Sequence, residues 1–577
     1  MVERICPKCK IPMNVDKCVK ASCQAKTVVS TTLYWCNDCN IPVFEPVCPR
    51  CGNESKYIAT DIRPVFPEER LLLALIQEKK NSYCYDSASV WYGSGAYIIN
   101  GKKEKISVTE INKWSLEKIK SIKEAYDSLV ECIDKSYFEE NIALFVEANR
   151  DRYNYITEEA MRFVLAYKDK FAIEDMMVSF SGGKDSTVTS HIVNTALGTN
   201  QVLHIFGDTT LEFPTTLEYK KRFNKNEKSK GVRILTAKNR EKNFEELCKV
   251  IGPPSRVMRW CCTVFKTGAI QKTIASAFKD KTNILSFQGI RHSESASRSK
   301  YERESESPKI AKQTVASPII EWIDYDVWLY ILTTGIDFNY AYRLGYTRVG
   351  CWCCPNNGAW SEFLSKVHMY EQYVHWHDLL LDFAKKIEKL DVEDYVNDGK
   401  WKARQGGNGL EAAQASIVSF EPCATEENAF NYELQRPISD ELYELFKPFG
   451  VINKELGNKR LGEIYVISSD GKVALVLQGR IGSTKLKVTI KNIHIAGART
   501  LSVAEGKVQC QLTKYQMCLG CKACESVCKH DAISVKDDGT GKVVYSIDDN
   551  KCVRCTECVG HFNAGCYMRK VLCIKRS

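Results

Sequence analysis

Twenty-seven cysteines in 577 residues, massed at the two ends of the chain, restrict its possible folds more than any other feature. Eight fall within the first 51 residues and ten between Cys510 and Cys573, leaving a thin middle. The chain opens MVERICPKCK, reaching cysteine without an apolar leader run, and contains no stretch of eighteen apolar residues. No secretory signal and no membrane span are therefore expected, and the thiols are expected to face a reducing cytoplasm. Cysteines in that setting hold metals or redox centres rather than disulfides. The distribution predicts separate metal modules flanking an enzyme-like core.

Residues 1–56 pair their cysteines as Cys6-x2-Cys9, Cys18-x4-Cys23, Cys36-x2-Cys39 and Cys48-x2-Cys51. Eight thiolates satisfy two tetrahedral zinc ions, with Cys36, Cys39, Cys48 and Cys51 on one and the earlier four on the other. Rubredoxin-like iron is the rival. So short a segment cannot bury a sufficient core, so the metal is expected to hold it together. At the other end, residues 509–577 contain Cys518-x2-Cys521-x2-Cys524-x3-Cys528, which resembles the bacterial ferredoxin run, and Cys552-x2-Cys555-x2-Cys558 begins a second. In two-cluster ferredoxins the fourth cysteine of each run serves the other cluster. The resemblance implies two 4Fe-4S clusters, one on Cys518, Cys521, Cys524 and Cys566, the other on Cys552, Cys555, Cys558 and Cys528. Two departures stand out: seven residues separate Cys558 from Cys566, and Lys529 and Tyr567 replace the usual prolines.

The middle is organised around Ser181-Gly182-Gly183-Lys184-Asp185-Ser186. An apolar run, 176–180, precedes it and a helical run from Thr187 follows, so the stretch is a strand, a glycine turn and a helix start. That geometry aims backbone N–H groups and a helix dipole at an anion. Glycines permit close approach to a phosphate, Lys184 adds charge, and Asp185 suits a magnesium ion. The spacing fits neither GxxxxGK[ST] nor GxGxxG. Strands are expected at 175–180, 202–207, 232–236 and 284–288 with helices between them, hence a parallel sheet with right-handed crossovers. SGGKDS, Asp208 and Gly289-Ile290-Arg291 then fall at three strand ends, where such sheets bind ligands.

These stretches together carry a resemblance. SGGKDS, the segment Asp208-Thr209-Thr210-Leu211-Glu212-Phe213-Pro214, the segment Gly289-Ile290-Arg291-His292-Ser293-Glu294-Ser295 through Arg298, and PIIEWIDYDVW at 318–328 resemble the phosphoadenylyl-sulfate reductases of the PP-loop superfamily. Thr210 stands where glycine is usual and Thr215 where glutamate is usual. The resemblance implies an α/β fold: a parallel-sheet PP-loop core, 171–360, flanked by small zinc-ribbon and ferredoxin modules. It implies that Ser181, Gly182, Gly183, Lys184, Asp185 and Ser186 cradle the phosphates of ATP or of a sulfonucleotide with Mg2+. Asp208 and Gly289 would lie near the nucleotide, and Arg291 and Arg298 would pair with sulfate or phosphate, for which a guanidinium fork is well shaped. Surface pairing of these arginines with Glu294, Glu302 or Glu304 is the bland alternative.

A third cysteine group lies inside this core: Cys261-Cys262, and Cys351-x-Cys353-Cys354. It resembles the CC…CxxC set that binds a 4Fe-4S cluster in iron–sulfur adenylyl-sulfate reductases, which implies Cys261, Cys262, Cys351 and Cys354 as ligands and leaves Cys353 spare. Zinc is the alternative. Neighbouring Arg256, Arg259 and Lys266 would add positive potential. The connecting region 57–170, with helices expected at 70–78, 115–133 and 155–169, the helical extension 361–420 with His368, His375 and His377, and the β-rich region 421–508, with a hairpin expected across Ser469-Asp470-Gly471-Lys472, carry no assigned chemistry. A balance of 81 basic to 71 acidic residues, net +10, suits anionic substrates or RNA and is diagnostic of neither.

Two enzymatic readings follow. In the first, the chain is an iron–sulfur oxidoreductase that binds an adenine nucleotide or sulfonucleotide and reduces or transfers sulfur with electrons from an external donor. In the second, ATP is cleaved to AMP and pyrophosphate to thiolate tRNA or another acceptor, and the ribbons grip RNA. A nucleotide-gated electron carrier without turnover is the non-enzymatic reading, disfavoured by the retained Lys184, Asp185 and arginines.

Overall fold

The computed structural model describes the chain apart from residues 1–2, 7–11, 14, 16–17, 21, 24–26, 241–242, 257, 296–297, 307–312, 404–417, 519, 521–522, 538–542, 561–573 and 577. At its centre lies a six-stranded sheet of β1 (Met176–Phe180), β2 (Leu203–Asp208), β3 (Ile234–Lys238), β4 (Ile284–Gln288), β5 (Glu304–Glu306) and β6 (Gln313–Ala316). Their order is β3-β2-β1-β4-β6-β5, all parallel except β5. β1 is apolar on both faces, as a strand covered by helices on both sides must be. In register, its Val178 sits between His204 and Phe287. α1 (Lys184–Leu197) follows directly and stops at Gly198, whose φ of 67° gives a left-handed cap. α2 (Pro214–Phe223), α3 (Gly268–Ala277) and α4 (Asp324–Thr334) join it around the sheet. The chain steps outward from β1 to β3 and then returns to β4 on the other side of β1. Strand order therefore reverses between β1 and β4, and the crevice at their carboxyl ends is the ligand position of this topology.

The flanks pack onto this core. Strands Leu33–Cys36, Ile41–Val43 and Lys56–Ala59 form a small ribbon sheet whose apolar side meets Tyr325 and Leu329 of α4. The connecting region contributes a four-stranded sheet and five helices, Pro67–Ile76, Val108–Ile111, Leu116–Leu129, Ser136–Ala148 and Arg150–Leu165. Of these, Ser136–Ala148 departs from expectation; its buried Phe138, Asn141, Phe145 and Ala148 recur at helical spacing and make it a core helix. The hairpin expected across 469–472 is present between Glu463–Ile467 and Val473–Gln478, inside a seven-stranded sheet. α5 (Leu501–Met517) then lies buried between that sheet and the C-terminal module and ends at Cys518. The boundary expected at 508–509 thus falls inside a helix, because both regions bury the same α5. No helix of the described residues is long and apolar enough to cross a membrane.

Candidate active site and metal centres

The loop after β1 braces itself before it meets anything else. The Ser181 N–H donates to Ser186 Oγ at 3.2 Å, and that hydroxyl donates to the Gly183 carbonyl at 2.8 Å. Gly182 takes a φ of 71°, and a Cβ there would stand 3.0 Å from Thr216 Cγ2, so glycine is required twice over. From the far side, Asn339 Nδ2 donates to the Gly182 carbonyl (3.2 Å), and the Lys184 N–H donates to the Tyr342 hydroxyl (2.9 Å). β4 closes the other wall: a Cβ on Gly289 would lie 2.6 Å from the Asp185 main chain, so only glycine lets the two strand ends meet.

Four charged side chains converge here. Lys184 Nζ lies 3.1 Å from Asp324 and 3.4 Å from Asp185. Arg291 bridges the same carboxylates, at 2.5 Å to Asp185 and 2.8 Å to Asp324. Lys184 and Arg291 are 3% and 4% exposed. Burial opposes ionisation of Asp185, but Arg291 and Lys184 outweigh it and hold the carboxyl at about 2. A fifth group arrives from the connecting region: Asp61 accepts the Asp324 and Tyr325 N–H groups, each at 3.0 Å, and so caps α4. Burial, reinforced by the Asp324 charge and only partly offset by Arg291, pushes Asp61 up to about 7. Removing one partner from such a buried set costs about 3–5 kcal/mol, since the remaining charges are left uncompensated.

The other expected anion contacts are placed differently. Arg298 pairs with Glu294, its surface alternative, and not with the Lys184 group. Asp208 binds Lys238 at 3.0 Å and accepts the Thr210 N–H at 2.8 Å. Asp61, Asp324, Asn339 and Tyr342 were not singled out by sequence reasoning. Asp324 lies inside the PIIEWIDYDVW stretch, which was the one available signal.

The central cysteines adjoin β2. Cys261 and Cys262 lead into a π-helical turn, Cys262–Thr267, a geometry that recurs at functional sites. Cys351 bridges to Glu212, with Thr209 Oγ1 at 3.3 Å from its sulfur and 2.8 Å from Glu212. The Cys261 thiol is pushed well up by its hydrogen bond with Cys262 and by burial, and it also feels Cys351 and Cys353. Burial pushes Cys351 up to about 12. Burial likewise raises the Cys354 thiol, against the pull of Arg348 and Arg259. Among the described residues these sulfurs do not gather within 4.8 Å as the N-terminal ones do, and only the chemistry of the set, buried thiols whose thiolates need a compensating cation, would suit a metal centre. Cys353 is buried in an apolar group with Cys248, Trp260 and Phe244.

Toward the N-terminus, the sulfurs of Cys36, Cys39, Cys48 and Cys51 lie within 4.8 Å of one another, with Cys36–Cys51 at 3.5 Å and Cys39–Cys48 at 3.9 Å. Zn–S bonds of about 2.3 Å in a tetrahedron require sulfurs about 3.8 Å apart, so the site has zinc dimensions. Cys6, Cys18 and Cys23 gather likewise; Cys9 lies outside the described residues. In the C-terminal module, Cys528 from the first run and Cys552, Cys555 and Cys558 from the second line one small cavity with Ile533 and Ile547. Cys518 and Cys524 are half-buried nearby, and Cys521 and Cys566 lie outside the described residues. The module docks on α3: Gln271 donates to the Cys528 carbonyl at 3.0 Å, Lys272 pairs with Glu525 at 2.7 Å, and Met517 packs against the apolar group holding Cys353. The three histidines hold no thiol: burial drives His368, against the Tyr126 ring, down to about 4, while His375 meets Glu245 and His377 meets Asn397.

Residues 175–357 match the family profile of the phosphoadenosine phosphosulfate reductase domain, and residues 517–561 that of the 4Fe-4S dicluster domain. Two uncharacterized proteins of Methanocaldococcus jannaschii are 32% and 29% identical over 277 and 269 residues, which is 48% and 46% of this chain and 54% and 61% of theirs. The chain thus spans between half and two thirds of the length of these relatives. An adenosine 5'-phosphosulfate reductase of Neisseria meningitidis is 33% identical over 98 residues, 17% of this chain and 36% of its own. A solved phosphoadenylyl-sulfate reductase of Candida auris aligns at 16% identity with a TM-score of 0.27, over 36% of this chain and 97% of that one.

Proposed function

We propose that this chain, which joins a phosphoadenosine phosphosulfate reductase domain to a 4Fe-4S dicluster domain, reduces a sulfonucleotide with electrons from an external donor. The observation that carries this reading is the buried Lys184–Asp185–Arg291–Asp324 group at the β1/β4 crevice, with the central thiols on the adjoining strand end. The two cations are already assembled beside their carboxylate partners, where an anionic ligand would meet both. Lys184 acts as a point charge, while the Arg291 fork matches two oxygens of a phosphate or sulfate. The Lys184 N–H is taken up by the Tyr342 hydroxyl, which fixes the start of α1 beneath the two cations. Asp185 and Asp324 orient the cations and are the oxygen donors available to Mg2+.

Cys261, Cys262, Cys351 and Cys354 would hold the central 4Fe-4S cluster, and the C-terminal cysteines two more; when bound, these supply single electrons. Two electrons and one sulfonucleotide balance as nucleoside monophosphate and sulfite, with the S–O bond broken. Glu212, raised mainly by burial and pulled back by Lys266, accepts the Thr209 hydroxyl and bridges to Cys351.

A second reading is an ATP-dependent sulfurtransferase forming AMP and pyrophosphate, favoured by the complete SGGKDS loop. One experiment separates them. The protein is purified without oxygen, reduced, and given adenylyl sulfate or phosphoadenylyl sulfate. Sulfite with AMP or its 3'-phosphorylated form is the expected result. No sulfite, with ATP converted to AMP and pyrophosphate once RNA is added, replaces reduction by thiolation.

A further inference from the structure

α5 carries a lysine where a soluble helix should carry an apolar residue. Lys514 is 2% exposed, on the last turn before Cys518. Its ammonium donates to the Cys558 main-chain carbonyl at 2.8 Å and lies 5.9 Å from the centre of the Tyr545 ring. The Tyr545 hydroxyl, pushed up by burial, also feels the thiols of Cys524, Cys558 and Cys518, so the ammonium and both cysteine runs share one small volume. One turn back on the same face, Gln511 is 1% exposed, and neither of its amide atoms has a partner among the described residues.

Burying an ammonium costs several kcal/mol unless negative charge answers it. At the position Lys514 occupies, against the Cys558 carbonyl, a negative group held by the two cysteine runs would face this ammonium. A four-iron cluster on four thiolates is such a group, and it gains one further negative charge on reduction. Cluster potentials respond to nearby charge and to hydrogen bonds on the sulfurs.

We propose that Lys514 is an electrostatic positioning residue for electron flow: its ammonium raises the reduction potential of the cluster held by Cys528, Cys552, Cys555 and Cys558. The step is a one-electron reduction with no proton and no bond change at the protein, and the stabilisation falls on the reduced form. Cys555 is exposed, so this cluster faces solvent and a donor. Helix Ala523–Val527 of the other run packs on the Cys262–Thr267 turn, and Gln271 of α3 bonds the Cys528 carbonyl, so both runs touch the core. A raised potential at the cluster with the exposed Cys555 makes it the first to fill.

The inference rests on the iron–sulfur part of the proposed function, and the test keeps the two apart. The full-length chain, purified anaerobically, is titrated with dithionite and mediators while the reduced-cluster signals are followed by electron paramagnetic resonance. Lys514→Met should keep wild-type iron and sulfide. One cluster should become about tenfold harder to reduce at fixed potential, a shift of about 59 mV to more negative values for one electron. Lys514→Arg, which keeps the charge, should stay near wild type. An unchanged midpoint in a fully loaded Lys514→Met overturns the proposal. Loss of iron from both Lys514→Met and Lys514→Gln would make Lys514 a structural support and overturn it as well. Wild-type protein with no 4Fe-4S signal would defeat the iron–sulfur reading itself.

Discussion

Thr210 holds a φ of 66°, a left-handed backbone that a β-branched residue adopts only under constraint. The constraint is visible: its N–H is tied to Asp208, and the next residue, Leu211, has its carbonyl bonded by Trp352, so the turn cannot relax without releasing the Cys351 wall. Such strain is worth about 1–3 kcal/mol, while glycine's extra freedom when unfolded returns about 0.5–1 kcal/mol. Thr210→Gly should therefore stabilise the core by about 1 kcal/mol and raise its melting temperature in calorimetry; a lower melting temperature would mean the turn is unstrained. At this scale the charged motif residues were legible. Lys184, Asp185 and Arg291 lie beside glycines that only a close approach explains. Asp324 and Asp61 were not, because no one-dimensional pattern says which of many carboxylates will meet a lysine across the fold. Arg298 looked equivalent to Arg291 in sequence and differs only through Glu294, its neighbour one turn earlier.

At the scale of elements, α4 is where the connecting region touches the Lys184–Arg291 group. Asp61 caps α4, and the capped Asp324 carries both Lys184 and Arg291. Asp61 faces Asp324 and Arg291 and two main-chain N–H groups, and burial together with the Asp324 charge pushes it up to about 7. The sign follows from its raised position. Between the ordinary carboxylate range and pH 7 the folded state binds the extra proton, so rising pH ionises Asp61 beside Asp324 and weakens the pull of the site on an anion. Binding of adenylyl sulfate, whose own charge is constant there, should tighten as pH falls from 8 to 6. Asp61→Asn should flatten that dependence in calorimetric titrations; a dependence that survives the substitution assigns it elsewhere. Elements differ in legibility for a physical reason. β1, β2 and β4 are buried on both faces and read as apolar runs. β3 begins two residues later than its expected range, and the exposed, acidic β5 carries no apolar signal at all. Helix Ser136–Ala148 was missed because Asn141 occupies one of its core positions and breaks the apolar stripe.

For the molecule as a whole, cysteine spacing told which modules exist and nothing about which touch. Contact is set by single residues: Gln271 and Lys272 on α3, Glu525 and the Cys528 carbonyl on the C-terminal module, and Met517 between them. α3 begins where the Cys261–Cys262 turn ends, so this seam joins the central thiols to the C-terminal cysteine module. Lys272 is half exposed while Glu525 is nearly buried, so the pair is worth about 0.2–1 kcal/mol and is weakened by salt. Lys272→Glu replaces that attraction with repulsion against a carboxylate that cannot turn to water. Electron transfer from the reduced C-terminal module to the core, followed by rapid-mixing absorbance, should slow about two- to fivefold, with iron content unchanged. The reversed pair, Lys272→Glu with Glu525→Lys, should recover most of the rate, and the defect should shrink as ionic strength rises. A rate indifferent to both variants would mean that electrons reach the central cysteines by another seam.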